Sequence, residues 1–260
     1  MKISFKIRLI CFSFLLAAVF CLNTFAQSKT ADFKVLAIAE NGGHHIAYSR
    51  AAKVWLDNLA KENNFTVDYI QNTEKINDEF LSQYQLFIQL DFPPYAWTPT
   101  ASAAFERYIK EGKGGWIGFH HATLLGEFDG YPMWEWFHGF MGGIRFKNYI
   151  STFASGKVNV EDKKHPVMKG VPASFVVKTE EWYTYDKSPR PNVHVLANVD
   201  EATYIPDSTN VKMGDHPVVW TNPKTAAKNV YIFMGHSPDL FQNESYTTLF
   251  KNAIFWAARR

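Results

Sequence analysis

The chain has 260 residues, of which 47% are hydrophobic and 16% aromatic, which is enough apolar material for one large core. Its 27 basic and 25 acidic residues give a net charge of +2, too small for the basic surface that binds nucleic acid. Both cysteines, Cys11 and Cys21, lie in the first 26 residues, so a disulfide or a thiol nucleophile is excluded from the remainder.

The first 26 residues have the pattern of a cleaved signal peptide. Lys2, Lys6 and Arg8 precede an apolar stretch at 9–22, and segment 24–26 places small residues at the cleavage positions. The apolar stretch is shorter than the about 20 residues that a membrane-spanning helix needs. We therefore expect an exported protein, periplasmic or secreted, with no membrane span after cleavage.

Residues 27–260 are expected to form a single domain. No linker, internal repeat or low-complexity segment divides them. Without the leader, 24 basic and 25 acidic residues remain. The net charge is then about −1, and no basic patch for nucleic acid is left.

Strands and helices are predicted to alternate in the first half of this domain. Short apolar runs indicate strands, and an apolar period of three to four residues indicates helices. A Thr-Pro pair at 98–99 is typical of a helix start. The first helix is predicted to bury Ala51, Val54, Trp55 and Leu59. The predicted strands are 33–39, 65–70, 85–90 and the segment ending at Phe119, and the predicted helices are about 49–62 and 98–112.

The second half is richer in strands. A βαβα order with buried strands implies a parallel sheet with helices on both faces. Successive short strands imply an antiparallel extension of that sheet in the second half. The expected fold class is therefore α/β with a mostly parallel central sheet. The later strands are predicted at 153–160, 174–179, 194–197, 217–221 and 230–234, before a closing helix that buries Tyr246, Leu249, Phe250, Ala253 and Ile254.

Histidines stand just after several of these strands. His45, His120 and His236 each follow an apolar run that ends in small or polar residues. Ligands bind at the carboxyl ends of parallel strands, so we expect these imidazoles to meet in one cleft. His121 is expected to point away from His120, because successive residues of an extended chain face opposite sides. It is therefore assigned a hydrogen-bonding role in substrate binding.

Five segments together resemble the ThuA-like family, which is associated with trehalose utilisation. The resemblance implies the fold of class I glutamine amidotransferases, a flavodoxin-like three-layer sandwich. It also implies a role in disaccharide or glycoside catabolism, beside sugar dehydrogenases that make 3-keto-glycosides. The segments are 114–122, 142–146, 165–170, 180–183 and 235–237.

The comparison with amidotransferases also excludes a reaction. In that superfamily a strand-to-helix elbow presents a cysteine, and a later strand presents a histidine followed by an acid. Here His120 occupies the elbow, while His236 and Asp239 resemble the later pair. Hydrolysis of glutamine through a thioester is therefore excluded.

Proton transfer on a 3-keto-glycoside is the reaction that we expect from these residues. The carbonyl at C3 acidifies the hydrogens on C2 and C4, and an imidazole is a suitable base for removing one. His120 is the predicted base, and His45 or His236 would polarise the carbonyl or protonate the leaving oxygen. Glu181 would orient one of these rings. The expected outcome is isomerisation, elimination or hydrolysis of the keto sugar.

Two alternatives use the same residues. His45, His120 and His236, with Glu181, have the donor types of a site for zinc or another divalent metal, although no HExxH spacing is present. Alternatively, the protein binds carbohydrate without converting it.

Other residues are predicted to bind the sugar, and the sequence lacks the motifs of a nucleotide site. Trp182 would stack on a pyranose, Asp91 would hold a sugar hydroxyl, and Asp239 would contact substrate. No GxGxxG or GxxxxGK[ST] motif occurs, which disfavours a bound nucleotide. Any redox step is therefore assigned to a partner sugar dehydrogenase.

Overall fold

A computed structural model describes residues 31–40, 43, 45–95, 97–127 and 130–259 of the chain. The predicted signal peptide lies outside these residues. Of the helices that are described, none combines the length and the apolar composition needed to cross a membrane.

The described residues form eleven strands and five α-helices. Three short 3-10 helices cover 120–123, 166–168 and 238–242. The α-helices are α1 (Ile46–Asn63), α2 (Asp78–Ser82), α3 (Pro99–Lys110), α4 (Glu135–Phe140) and α5 (Glu244–Ala257). The strands are β1 (Lys34–Ala39), β2 (Thr66–Ile70), β3 (Leu86–Leu90), β4 (Gly115–Phe119), β5 (Phe146–Tyr149), β6 (Ala154–Val160), β7 (Ser174–Glu180), β8 (Tyr183–Tyr185), β9 (His194–Ile205), β10 (Pro217–Thr221) and β11 (Asn229–Ile232).

Nine of these strands form one sheet in the order β2-β1-β3-β4-β11-β10-β9-β6-β7. The first five strands in this order pair in parallel, and the remaining pairs are antiparallel. The remaining two strands, β5 and β8, pair with each other. The predicted α/β class is therefore confirmed, including the antiparallel extension in the second half.

Helices cover both faces of the parallel part of the sheet. Trp116 and Phe119 are an odd number of residues apart in β4 and so face opposite sides. The Trp116 ring lies 5.9 Å from Phe137 of α4, whereas the Phe119 ring lies 4.6 Å from Phe250 of α5. The strand thus contacts a helix layer on each side, as in a three-layer sandwich.

The buried face of the first helix matches the predicted one only in part. Val54 is 63% exposed, while the buried residues include Tyr48, Ala52, Leu56 and Leu59. These buried residues repeat every three or four positions, as residues on one face of a helix do. Tyr48 belongs to this face because the helix begins at Ile46, before the predicted start at about 49. The prediction was therefore wrong for Val54, whereas Leu59 is buried and Trp55 stacks on Phe250 as a core-facing residue should.

Strand β9 is much longer than the predicted 194–197. It extends to Ile205, and its polar residues alternate with buried ones, because it pairs with β10 on one side and β6 on the other. The asparagine and aspartate at 198 and 200 occupy the less buried positions of this continuing strand.

The parallel strands end at one edge of the sheet, and this places the polar residues that follow them. Glu40 follows β1, Asp91 follows β3, and His120 follows β4. Asp91 and His120 have φ values of 44° and 32°, so the chain turns sharply at both strand ends. This edge contains the candidate site.

Candidate functional site

Four side chains from separate parts of the fold converge at this edge. His45 lies at the start of α1, His120 after β4, His236 after β11, and Glu181 between β7 and β8. One nitrogen or carboxylate oxygen from each lies within 4.8 Å of those of the others. The Glu181 Oε2 atom is 3.4 Å from His120 Nε2 and 3.8 Å from His236 Nε2. We call these four residues the cation cluster.

A cleft of about 550 Å³ opens above the cation cluster. Its size falls within the range of about 300–1,000 Å³ that is usual for small-molecule sites. His120 is fully buried and lies beneath the lining. The described residues that line the cleft are Glu40, Gly43, His45, His121, Leu124, Phe146, Tyr149, Ser151, Phe153, Glu181, Tyr183 and His236.

Burial keeps the His120 ring neutral. It lowers the pKa of His120 well below the usual 6.5, and the neighbouring His121 and His236 lower it further. A neutral imidazole has a nitrogen lone pair to offer a metal ion. His120 has no exposed surface in the cleft, and its role as the base stays a prediction.

Glu180 is a fully buried carboxyl group next to the cation cluster. One of its oxygens lies 3.9 Å from His120 Nδ1 and accepts a hydrogen bond of 2.9 Å from the backbone N–H of Glu181. Its other oxygen accepts a 3.1 Å bond from the N–H of Gly235. Burial raises the pKa of Glu180 to about 8. Glu180 therefore links the loops that carry Glu181 and His236.

Hydroxyl groups hold the backbone of His120 in place. The carbonyl oxygen of His120 accepts hydrogen bonds from Tyr231 Oη at 3.1 Å and from Thr123 Oγ1 at 2.9 Å. Tyr185 Oη donates to Thr123 Oγ1 at 2.9 Å. All of these groups are buried, so the sharp turn at His120 is supported by polar contacts that water does not weaken.

His121 lies beside the cluster and does not point away from it. The strand ends at Phe119, and the next four residues form a 3-10 helix, so the alternation expected for an extended chain does not apply. The His121 ring lies 3.8 Å from His45 and 5.5 Å from His120, measured between centroids. The expected orientation was wrong for this reason.

Contacts of the His121 ring define its tautomer. Its Nδ1 lies 3.1 Å from the carbonyl oxygen of Asp91 and 3.2 Å from Glu40 Oε2. A carbonyl oxygen can only accept, so Nδ1 must hold the proton, and Nε2 of the neutral ring holds a lone pair. Glu40 was not among the predicted site residues, although its position directly after β1 was a usable signal.

Asp91 is too deeply buried to hold a sugar hydroxyl. Its side chain is fully enclosed, and its carboxyl oxygens have no hydrogen-bond partner among the described residues. Burial raises its pKa well above the usual value, and Glu180 and Glu40 raise it further. Asp91 contributes to the site through its backbone oxygen, which fixes His121, so the predicted side-chain role was wrong.

Trp182 belongs to the core and not to the cleft. Its ring is fully buried and stacks on Phe233 at 5.4 Å and on Tyr204 at 5.7 Å, while its Nε1 donates to the carbonyl of Ala154. It has no free face for a pyranose, so the predicted stacking role was wrong. The next residue, Tyr183, lines the cleft instead.

Asp239 also lies away from the cleft. It is exposed on the 3-10 helix at 238–242 and borders a separate pocket between β7 and the start of α5. The prediction that Asp239 contacts the same substrate as His236 was therefore wrong. The acid whose side chain approaches His236 is Glu181, at 3.8 Å. Sequence proximity to His236 suggested Asp239, whereas the sheet brings Glu181 there from 55 positions earlier.

Comparisons with known proteins agree with this architecture. A family model described as ThuA, trehalose utilisation, matches residues 34–257. A ThuA-like protein from Bacteroides uniformis is similar, with 31% identity and a TM-score of 0.78 over 88% of this chain and 93% of that chain. No curated protein matches the sequence.

Two further solved structures show likeness in fold alone. A ThuA-like protein from Parabacteroides merdae has 19% identity and a TM-score of 0.63, over 87% of this chain and 90% of that chain. The CTPS glutaminase domain from Trypanosoma brucei has 9% identity and a TM-score of 0.50, over 86% of this chain and 94% of that chain. The expected amidotransferase-like fold is thus confirmed.

Proposed function

Because the chain belongs to the ThuA, or trehalose utilisation, family, we propose that it is a metal-dependent enzyme of glycoside catabolism that acts on a 3-keto-glycoside. Membership in this family indicates carbohydrate utilisation in broad terms. The observation that supports the finer proposal is the convergence of three imidazoles and one carboxylate beneath a cleft.

The cation cluster fits a divalent ion such as zinc. Zinc binds imidazole nitrogen and carboxylate oxygen at about 2.0–2.2 Å, so tetrahedral ligand atoms stand roughly 3.3–3.6 Å apart. The Glu181 oxygen lies 3.4 Å and 3.8 Å from the two nearest imidazole nitrogens. Small rotations of these side chains would bring them to ligand distance. Once bound, such an ion polarises a carbonyl oxygen of the substrate.

The residues around the cluster would orient its ligands. Glu180 lies beside the His120 nitrogen that does not face Glu181, at 3.9 Å. A carboxyl group that accepts a hydrogen bond from a metal-binding imidazole orients the ring in many metal sites, and Glu180 would do so after a rotation that closes this gap. The hydrogen bonds to the His120 carbonyl oxygen hold the backbone from which this ring extends.

His121 takes the role of base in this proposal. It lines the cleft, and because its Nδ1 faces the carbonyl oxygen of Asp91 and Glu40 Oε2, Nε2 is the ring nitrogen that would accept a proton. Nε2 would accept the C2 proton of the keto sugar, and the electron pair of that C–H bond would form the C1=C2 double bond. The bond from C1 to the glycosidic oxygen would break as this double bond forms. Its electron pair would stay on the departing oxygen, which would take up a proton from water.

The proposal is tested with untagged protein beginning at residue 27. We expect stoichiometric zinc or another divalent metal by elemental analysis, and loss of C2–H signal from 3-keto-trehalose by proton NMR in deuterated buffer. Chelation should abolish the reaction, and adding zinc should restore it. Glu181→Gln should lose metal, and His121→Ala should keep metal but lose conversion. His194→Ala is a matched control, since His194 lies outside the cleft lining.

Each contrary outcome overturns a defined part of the proposal. Conversion that survives complete metal removal would rule out the ion. Unchanged conversion by His121→Ala would rule out its role as base. Saturation transfer from protein to sugar without any conversion would instead indicate a carbohydrate-binding protein.

Export and a dehydrogenase partner are proposed along with this function. The N-terminal pattern supports export, and a 3-keto-glycoside must come from oxidation of a sugar hydroxyl, which is the reaction of a sugar dehydrogenase. Cell fractionation and N-terminal sequencing test export. We expect a mature chain that begins at Gln27, and an uncleaved chain in the cytoplasm would contradict it.

A further inference from the structure

Two exposed aromatic rings stand at the rim of the cleft above the cation cluster. Tyr149 is 47% exposed and Phe153 is 44% exposed, and both line the cleft. Single exposed hydrophobic residues are ordinary on protein surfaces. Two exposed aromatic rings in one cleft, next to a cluster of polar side chains, are characteristic of a ligand site.

The aromatic rings continue from the rim to the floor of the cleft. The Phe153 ring lies 4.5 Å from the ring of His236, measured between centroids. Tyr149 pairs with Tyr183 across the β5–β8 ladder, so their side chains share a face. The ring of Tyr183 lies 4.3 Å from that of His120. A ligand that reaches the cluster therefore passes along an aromatic wall.

The cleft has room for more than one sugar ring. Its volume of about 550 Å³ corresponds to about 18 water molecules at roughly 30 Å³ each. A single hexose has fewer non-hydrogen atoms than that, and covalently bonded atoms pack more closely than separate waters. Space therefore remains beside a keto ring held at the cluster.

We propose that Tyr149 and Phe153 form a subsite for the second ring of the substrate, so that the substrate is a two-ring glycoside and not a free keto monosaccharide. This inference rests on the proposed function, which places the keto ring at the cluster. The apolar C–H face of a pyranose, or an aryl ring, would stack on these aromatic rings. The departing alcohol would be the ring held by this subsite.

The test compares 3-keto-trehalose with methyl 3-keto-α-glucoside, which lacks the second ring. Tyr149→Ala and Phe153→Ala should raise the KM for the disaccharide by about 2- to 12-fold more than for the methyl glycoside, the range expected for a lost stacking contact. Tyr149→Phe keeps the ring and should lose less than Tyr149→Ala. Val176→Ala is the control, because Val176 is exposed on β7, outside the cleft lining.

Phe153 contacts His236, so its substitution could also disturb the cation cluster. Measuring the metal affinity of each variant distinguishes this disturbance from the loss of a stacking contact. Zinc titration of each variant should match the parent protein. Equal changes of KM for both substrates would overturn the subsite.

Binding separates failure of the subsite from failure of the proposed function. If the parent protein converts neither substrate, calorimetry with trehalose and methyl α-glucoside still tests the subsite. A preference for trehalose that Tyr149→Ala removes would keep the subsite while the reaction fails. Equal affinities for the two sugars would overturn the subsite.

Discussion

Gly235 shows how closely the residues below the cleft are packed. A Cβ atom at this position would lie 2.8 Å from Asp91 Oδ1 and 2.9 Å from the Cβ of His120. Real Cβ atoms do not approach other atoms that closely, and neither neighbour has space to move because both are fully buried. The next residue is His236, so any shift at Gly235 would displace a member of the cation cluster.

Gly235→Ala should therefore destabilise the protein and weaken metal binding. We expect a loss of about 1–3 kcal/mol of unfolding free energy from overpacking. Gly139→Ala is the matched control, because Gly139 lies in α4 with open space around its Cβ position. It should be neutral or stabilising, since alanine favours a helix over glycine. Urea denaturation and zinc titration measure the effects, and equal stability of the two variants would contradict the steric argument.

Trp182 and Tyr183 are adjacent, yet only one of them belongs to the site. Trp182 stacks within the core, whereas the Tyr183 ring lies beside His120. Trp182→Phe should lower the unfolding free energy by about 1–3 kcal/mol, because the Ala154 carbonyl loses its partner. Its KM for the keto-glycoside should stay unchanged, as steady-state kinetics would show. A rise in KM without a loss of stability would instead indicate that Trp182 contacts the substrate.

At the scale of elements, one arginine joins three strands of the antiparallel extension. Arg190 precedes β9 and donates to Glu161, which follows β6, at 2.7 Å and 2.8 Å. It also donates to Asp215, which precedes β10, at 2.6 Å and 2.9 Å. Hydrogen bonds from Arg190 lower the pKa of both carboxyl groups below their usual values of 4.5 and 3.8.

The sign of these pKa shifts predicts how stability depends on pH. A carboxyl group whose pKa is lowered by folding stabilises the native state above its unfolded pKa, and this stabilisation is lost as the pH falls through the folded pKa. Arg190→Ala should therefore destabilise the protein at neutral pH and make less difference below about pH 4. Urea denaturation from pH 3 to pH 7 measures this. Arg107→Ala removes an exposed pair with Asp78 and should cost less at neutral pH.

At the scale of the whole molecule, the site is assembled from both halves of the chain. His45 and His120 come from the parallel first half, while Glu181 and His236 come from the segments after β7 and β11. The four ligand atoms approach one another only when the sheet is complete. An ion that binds them would therefore bind the native state and not the unfolded chain.

Metal should therefore stabilise the whole domain. Zinc at a hundred times its dissociation constant should raise the unfolding free energy by about 2.7 kcal/mol. Glu181→Gln should lose most of this gain, and His194→Ala should keep it, as urea denaturation with and without zinc would show. An equal gain in Glu181→Gln and the parent protein would mean that zinc stabilises the protein elsewhere.

Local patterns in the sequence predicted most of the fold. Buried strands and capped helices are specified by neighbouring residues, as in α3, where Thr98 accepts a hydrogen bond from the N–H of Ala101. The placement of His45, His120 and His236 after strands was also readable, because parallel strands end at one edge of a sheet. The family resemblance added the prediction that these strands and helices form a three-layer fold.

The sequence by itself therefore determined the fold class, the family and the strand ends at which the histidines stand. Only the tertiary structure decided which side chains are exposed in the cleft. It buried His120 and Asp91, placed Trp182 in the core, turned His121 towards His45, and brought Glu40 and the aromatic wall to the same cleft. The physical reason is that burial and contact depend on residues distant in sequence, whereas strand and helix patterns depend on near neighbours.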